Sequence, residues 1–221
     1  MRRVLVLRPQ PGASETSARA REAGLDPVSV PLFEIEAIGW EAPEAGSFDA
    51  VLLTSANAVR CAGEAIRELR GLKAYVVGEA SAKAAREAGF DVAAVGDAGV
   101  DRLLGSIEGD LQLLHLCGED RRAPEEARQQ ITAVAVYRAV AIDEPDLGAA
   151  DGAVAMIHSP RAGRRFAELI EERGSIAIAA ISAAAAEAVG DGWAAVEAAA
   201  EPTDDALLAL AARLCNNPDP E

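Results

Sequence analysis

The chain has 221 residues and a formal net charge of −15, from 36 acidic against 21 basic side chains. It is long enough to bury a core as one large domain or two small ones, and its charge argues against nucleic acid or an anionic membrane as partner. Small anions stay open, because screening over about 10 Å leaves local arginines and helix ends to decide what binds in a cleft. Cys61, Cys117 and Cys215 show no metal-ligand spacing, and the apolar N-terminal run is too short for a signal peptide. No uncharged apolar stretch reaches the ~20 residues of a membrane span. These features predict a reduced, cytoplasmic protein without metal or membrane.

Arg3 to Leu7 reads as an apolar strand, Arg8 to Gly12 as a turn, and Ser14 as the cap of a helix that Gly24 stops. Val28 to Ile38 predicts one extended segment, with Pro31 suited to a sheet edge or crossover. Phe48 to Leu53 predicts a strand that ends in Thr54-Ser55, followed by a helix to about Arg70. The strand Ala74 to Val77 opens onto Gly78-Glu79-Ala80-Ser81 and a helix to Ala88. A short strand at Val92 to Val95, a helix from Val100 to Ser106 and the strand Leu111 to Leu116 lead to the Cys117-Gly118 turn. A helix is expected from Pro124 to Gln130 and an extended segment from Val134 to Val140. Ala153 to Ile157 then ends in His158-Ser159 before a helix to about Arg173. The strand Ile176 to Ile181 opens onto Ser182, and a strand near Ala194 and a helix from Asp204 to about Cys215 complete the pattern before a frayed tail.

Two of these segments are copies of one another. Phe48 to Arg60 and Ala153 to Arg165 each run from an apolar strand through a small polar pair into an arginine-bearing helix. Gly78 to Val92 matches Ser182 to Val196, Gly99 to Leu104 matches Thr203 to Leu208, and Val4 to Pro31 resembles Leu113 to Val136. The first unit stands before both copies and its counterpart stands between them, so one domain is expected inside the other. The predicted partition is 1–34 with 140–221, and 35–139, with Val28 to Ile38 and Val134 to Val140 as crossovers. Alternating strands and helices predict open parallel sheets covered on both faces, with ligands beyond the strands' carboxyl ends. Ser or Thr at a helix start, where unpaired N–H groups and the positive helix end point outward, makes an anion pocket there.

Three classes of function fit an inserted two-domain α/β chain. A two-lobed solute-binding protein shares the architecture, but no export signal is seen. A pair of receiver-like regulatory domains needs acidic clusters at the strand ends, where this chain has Thr-Ser, Gly-Glu and His-Ser. The third class is an enzyme. Val4-Leu-Val-Leu-Arg-Pro9, Leu52-Leu-Thr-Ser-Ala-Asn-Ala-Val-Arg60, Val76-Val-Gly-Glu-Ala-Ser81, Cys117-Gly118, Val134-Ala-Val-Tyr-Arg138, His158-Ser-Pro-Arg161 and Pro202-Thr-Asp-Asp-Ala-Leu-Leu208 occur in an order and spacing that resembles the uroporphyrinogen-III synthase family. The resemblance implies two flavodoxin-like domains joined by a two-stranded linker. It implies cyclisation of hydroxymethylbilane to uroporphyrinogen III with loss of water and no cofactor, by a monomer in at most transient contact with the upstream deaminase.

The substrate's eight carboxylates would then meet the turns at Arg8, Thr54, Ser55, Ala56, Asn57, Gly78, Glu79, Ala80, Ser81, Cys117, Gly118, His158, Ser159, Arg161 and Ser182. Tyr137 would serve the departing hydroxyl. Ala183 to Ala185 stand where many members carry Ser or Thr, which leaves Ser182 and backbone amides as donors there. The same residues also fit plain structural roles. Ser and Thr are ordinary N-caps, Tyr137 is suited to packing, Cys61 and Cys117 to small buried apolar sites, His115 to a core, and Arg164 and Arg165 to a solvated surface.

Overall fold

The computed structural model describes residues 2–97, 99–121, 123–124 and 127–216. In chain order the strands and helices are β1 (Val4–Val6), α1 (Gly12–Glu22), β2 (Pro27–Ser29), β3 (Phe33–Ala37), β4 (Ala50–Leu53), α2 (Ala56–Cys61), β5 (Lys73–Val77), α3 (Glu79–Glu87), β6 (Asp91–Gly96) and α4 (Val100–Ser106). There follow β7 (Gln112–Gly118), β8 (Gln130–Ala141), β9 (Val154–Ile157), α5 (Pro160–Leu169), β10 (Ala177–Ala180), α6 (Ala183–Glu187), β11 (Ala195–Ala198) and α7 (Asp204–Asn216). The chain divides into two compact units, Met1–Glu34 with Ala141–Glu221, and Ile35–Val140.

The first unit holds a parallel sheet in the order β11-β10-β9-β1-β2. The second holds the order β6-β5-β4-β7-β8, again parallel, with β3 added beside β8. Counted within each unit from its first βα element, both orders are 2-1-3-4-5, the flavodoxin-like arrangement. In the second unit the chain enters at the third strand, so the first and second, β7 and β8, come last. β3 and β8 are the segments by which the chain passes between units. Ile38 N–H donates to Val136 O at 2.9 Å and Ile142 N–H to Leu32 O at 3.0 Å; one index rises as the other falls, so the pairing is antiparallel.

The central strands are apolar throughout because both their faces are covered. β1, β4, β9 and β10 are buried along their whole length. Period-two alternation sends Val51 and Leu53 of β4 into the cluster under α2 and α3, and Ala50 and Leu52 into the cluster with Leu103 and Leu104 of α4. In the first unit Val4, Val6, Val154 and Met156 meet Leu207, Leu210 and Ala211 of α7. Each such side chain contributes about 1.5–3 kcal/mol on burial.

Five local expectations are corrected. α1 starts at Gly12, before Ser14, because the Gln10 side chain accepts from the Ser14 N–H at 3.1 Å and does the capping from outside. Val28 to Ile38 is two strands, not one: β2 pairs with β1 as far as Ser29, Leu32 N–H still donates to Leu7 O at 3.1 Å, and β3 then joins β8 in the other sheet. α2 ends at Cys61 and a 3-10 helix, Gly63–Leu69, continues it, because Gly63 turns at φ 61°. α5 ends at Leu169, and Arg173 lies back over the Trp193 ring at 5.0 Å. The helix expected from Pro124 to Gln130 falls partly on residues 125–126, outside the described residues, and the described residues 124 and 127–129 are not helical. There the buried Gln129 amide donates to Leu104 O, Ile107 O and Gly109 O, each at 3.3 Å, which anchors the segment to the end of α4. Of the tail, residues 217–221 lie outside the described residues.

Candidate functional site

In a 2-1-3-4-5 sheet the strand order reverses between the first and third strands, and the crevice beyond their carboxyl ends is where ligands sit. In the first unit those strands are β1 and β9. Arg8 follows β1, and its Nη1 donates to both Asp204 carboxylate oxygens, at 3.1 and 3.2 Å, and to Thr16 Oγ1 at 3.2 Å. Thr16 Oγ1 donates in turn to Asp204 Oδ2 at 3.0 Å, and Arg19 Nη1 donates to the same oxygen at 3.1 Å. Arg19 Nη2 also pairs with Asp205. The guanidinium of Arg8 can lie there because residue 12 is glycine: a Cβ would stand 2.5 Å from Arg8 Nε.

His158 follows β9. Its side chain is 9 % exposed and its Nε2 lies 3.3 Å from Asp204 Oδ1. Asp204 is its ion-pair partner across that distance, and among the described residues its ring nitrogens have no other one. Burial alone would raise the Asp204 carboxyl; His158, Arg8 and Thr16 outweigh it and hold the group at about 2. Asp204 is therefore a carboxylate at any physiological pH.

In the second unit the reversal lies between β7 and β4. Thr54 Oγ1, after β4, is hydrogen-bonded to His115 Nε2 of β7 at 3.0 Å. His115 is 1 % exposed. Burial first, and the Arg121 charge second, push its imidazole down to about 4, so it is neutral at pH 7. Between Cys117 and Gly118 the register with β8 slips, so that Cys117 faces Ala135 and Gly118 faces Tyr137. A bulge of this kind re-aims side chains; here Val136 is buried and Tyr137 half-buried. A Cβ on residue 118 would sit 2.8 Å from Tyr137 Cζ, so glycine makes room for the ring. Burial raises the Tyr137 phenol, with Cys117 and Cys61 adding to the rise and a hydrogen bond with Ser55 opposing it. It remains a protonated donor at neutral pH.

The other residues expected at the turns are used in several ways. Ser55, Ser159 and Ser182 are N-caps of α2, α5 and α6, accepting from Asn57, Ala162 and Ala185 N–H at 3.2, 3.1 and 3.3 Å. Ala56 and Asn57 form the half-buried first turn of α2. Gly78 has φ 81° and donates its N–H to Gly96 O, Glu79 turns along its own helix to Arg86 at 2.8 Å, Ala80 is exposed and Ser81 buried. The Cys117 thiol donates to Val134 O at 3.5 Å, and burial pushes its pKa up. Arg161 stacks over the Phe33 ring at 4.5 Å. Arg165, expected at the surface, is half-buried and donates to Ile142 O at 3.0 Å.

The structure therefore brings Arg8 and His158 together in the first unit, and Thr54, Ser55, Cys117, Gly118 and Tyr137 in the second. Sequence reasoning missed Asp204, Thr16 and Arg19. Thr16 and Arg19 share a helix face at i,i+3, but nothing in their spacing points to a carboxylate 188 positions from Thr16. Among the described residues no three or more His, Cys, Asp or Glu could hold a metal ion, and no described helix is long and apolar enough to cross a membrane.

The model of a family described as uroporphyrinogen-III synthase HemD matches residues 14–209. No curated protein matches the chain. Among solved structures, uroporphyrinogen-III synthetase from Helicobacter pylori aligns with a TM-score of 0.66 at 18% identity, covering 97% of this chain and 100% of that one. A mutant uroporphyrinogen III synthase from Thermus thermophilus aligns with a TM-score of 0.56 at 19% identity, covering 97% and 99%. At these identities the structures speak for the fold, and the family match speaks for the lineage.

Proposed function

Because this chain belongs to the uroporphyrinogen-III synthase family, we propose that the strand ends of its second unit carry the chemistry of that enzyme, with Tyr137 as the acid. The enzyme is a lyase of tetrapyrrole biosynthesis. It closes hydroxymethylbilane into uroporphyrinogen III, with inversion of ring D and loss of water. Spontaneous closure gives the type I isomer, so the protein must hold the chain in a geometry that favours attack at the substituted ring position, and positioning of that kind can supply much of a barrier.

In the proposed step the C–O bond of the terminal hydroxymethyl group breaks, pushed by the pyrrole nitrogen, and the Tyr137 phenol gives its proton to the departing hydroxyl. Water leaves. The freed methylene carbon bonds to the substituted α-carbon of ring D, the older methylene bond at that carbon breaks and re-forms at the ring's free α-carbon, and the proton which that carbon then loses restores the phenol. The observation that carries this assignment is the Gly118–Tyr137 fit: the glycine opens the space and the bulge aims the ring into it. The raised pKa keeps the phenol protonated at neutral pH, in the form that can donate. Thr54, fixed by His115, and the amides of Ala56 and of Glu79 to Ser81, in the first turns of α2 and α3, are further donors for substrate carboxylates.

Free thiols at Cys61, Cys117 and Cys215 support a reducing, cytoplasmic setting. Among the described residues the large apolar side chains left exposed are Val95, Val140 and Val196, single valines on three different strands, which favours a monomer in at most passing contact with the deaminase. The test is an isomer assay. Hydroxymethylbilane generated by its deaminase is supplied to the purified protein, and the products are oxidised and separated. Enrichment of the type III isomer is expected; type I alone overturns the assignment.

A further inference from the structure

We propose that a cavity at the free edge of the first unit's sheet is a docking site for an arginine side chain carried on an extended segment of a partner protein.

The cavity is about 340 Å³ and lies between residues 28–31, at the end of β2, and the loop 142–149. Both segments belong to the first unit. β2 is the outermost strand, so the cavity stands on the far side of β1 from the reversal of strand order. Its walls are apolar where Val28, Val30, Ile142 and Ala149 line them, and the exposed carboxylates of Glu144 and Asp146 stand with them. Two carboxylates repel a polycarboxylate, which sets this cavity apart from the substrate's place. The Asp146 carboxylate is held in position because its Oδ1 accepts from Gly148 N–H at 3.1 Å, and Oδ2 is left to accept from a ligand. Arg165 does not cancel these charges: it holds the loop by donating to Ile142 O and Asp143 O, and is itself paired with Glu168 at 3.5 Å.

The lining has many acceptors and few donors. Pro31 and Pro145 are part of it and have no N–H. The complement is a group that donates and does not accept. A guanidinium has five N–H donors in a planar fork and no acceptor, and its hydrocarbon stem can cover the valines while the head meets the carboxylates. The volume, near the lower end of the roughly 300–1,000 Å³ of ligand pockets, suits one long side chain.

The strand edge points to a polypeptide as its carrier. Val4 N–H donates to Asp26 O at 2.9 Å and Val30 N–H to Val6 O at 3.0 Å. With Leu5 opposite Val28, the alternation turns the backbone groups of Val28 toward β1 and those of Ser29 to the free edge. On that edge Pro27 and Pro31 flank Ser29 without an N–H of their own, which blocks open-ended strand pairing. One residue of an extended chain can still pair with Ser29, beside the cavity. A small free cation has no use for that pair.

The test is an NMR titration of the full-length protein, labelled with nitrogen-15, with acetyl-Ala-Ala-Arg-Ala-Ala-amide. The same peptide with norleucine for arginine, and propylguanidinium alone, are the comparisons. The arginine peptide should shift the amides of residues 28–30 and 142–149 with a Kd on the order of 1 mM. The norleucine peptide should shift none of them, and propylguanidinium should bind several-fold more weakly. Glu144→Gln with Asp146→Asn should weaken the arginine peptide about tenfold, the loss of two exposed charge pairs. Shifts that are absent or lie elsewhere, equal binding of the norleucine peptide, equal binding of propylguanidinium, or an unchanged Kd in the double variant each overturn the proposal. Where the double variant does not fold, the three wild-type titrations decide.

Discussion

The two units share one strand order and put opposite chemistry at its reversal. The first places charges there: Arg8 and Arg19 around an ionised Asp204, with His158 beside it. The second places neutral donors: Thr54 on a neutral His115, and the Tyr137 phenol beside Ser55. In both, a glycine gives way to the side chain that matters, Gly12 to Arg8 and Gly118 to Tyr137. The same 2-1-3-4-5 sheet thus supports two different sets of side chains at its reversal, charged in one unit and neutral in the other.

Adding a methyl group to each glycine is the sharpest way to break the comparison. In Gly118→Ala the new Cβ meets the Tyr137 ring at 2.8 Å, and the ring must swing away. Losing an aligned acid costs about 10²–10³-fold in kcat. In Gly12→Ala the Cβ meets Arg8, and KM should rise more than kcat falls. Steady-state type III kinetics, with circular dichroism to confirm folding, read both. Equal effects on kcat would erase the division of labour.

Acid separates the units next. The folded pKa of His115, about 4, lies below its ordinary 6.5, so the unfolded chain binds the extra proton first and stability falls as pH drops from 6.5 toward 4. The loss is about 3 kcal/mol. Asp204 is depressed from 3.8 to about 2; its contribution is present above pH 4 and is lost only as pH falls on toward 2. Hydrogen exchange at pH 4.5 should therefore show the second unit opening while the first stays protected. Simultaneous opening contradicts the assignment of a buried neutral imidazole.

Arg8→Ala removes a partner of a part-exposed carboxylate and should destabilise by about 1–2 kcal/mol, less than a fully buried pair would lose. Protection should fall in α1 and α7, which Thr16 and Asp204 tie together, and stay unchanged in the second unit. Ser182→Ala is the smallest case. As an N-cap it should cost about 1 kcal/mol of stability in urea unfolding. A raised KM would return Ser182 to substrate binding.

Much of the architecture was legible because each strand-turn-helix copy leaves a short apolar run, a small polar pair and a helical pattern in the sequence. The apolar runs of β4 and β9 and the small polar pairs after them located two crevices. The caps at Ser55, Ser159 and Ser182 were equally legible, since capping is local. What stayed hidden depends on distance. The Asp204 carboxylate meets Arg8 across 196 positions, and no local rule connects them. The split of Val28 to Ile38 was hidden too, because an apolar run does not say which sheet each half joins. Tyr137 was visible as a residue, but the bulge that aims it depends on the register of β7 with β8.

The central claim is that the second unit's phenol moves the proton, and Tyr137→Phe tests it most directly. At saturating hydroxymethylbilane, the rate of type III formation should fall about 10²-fold, with KM little changed and the ring packing intact. A Tyr137→Phe enzyme that forms the type III isomer at the wild-type rate would contradict it.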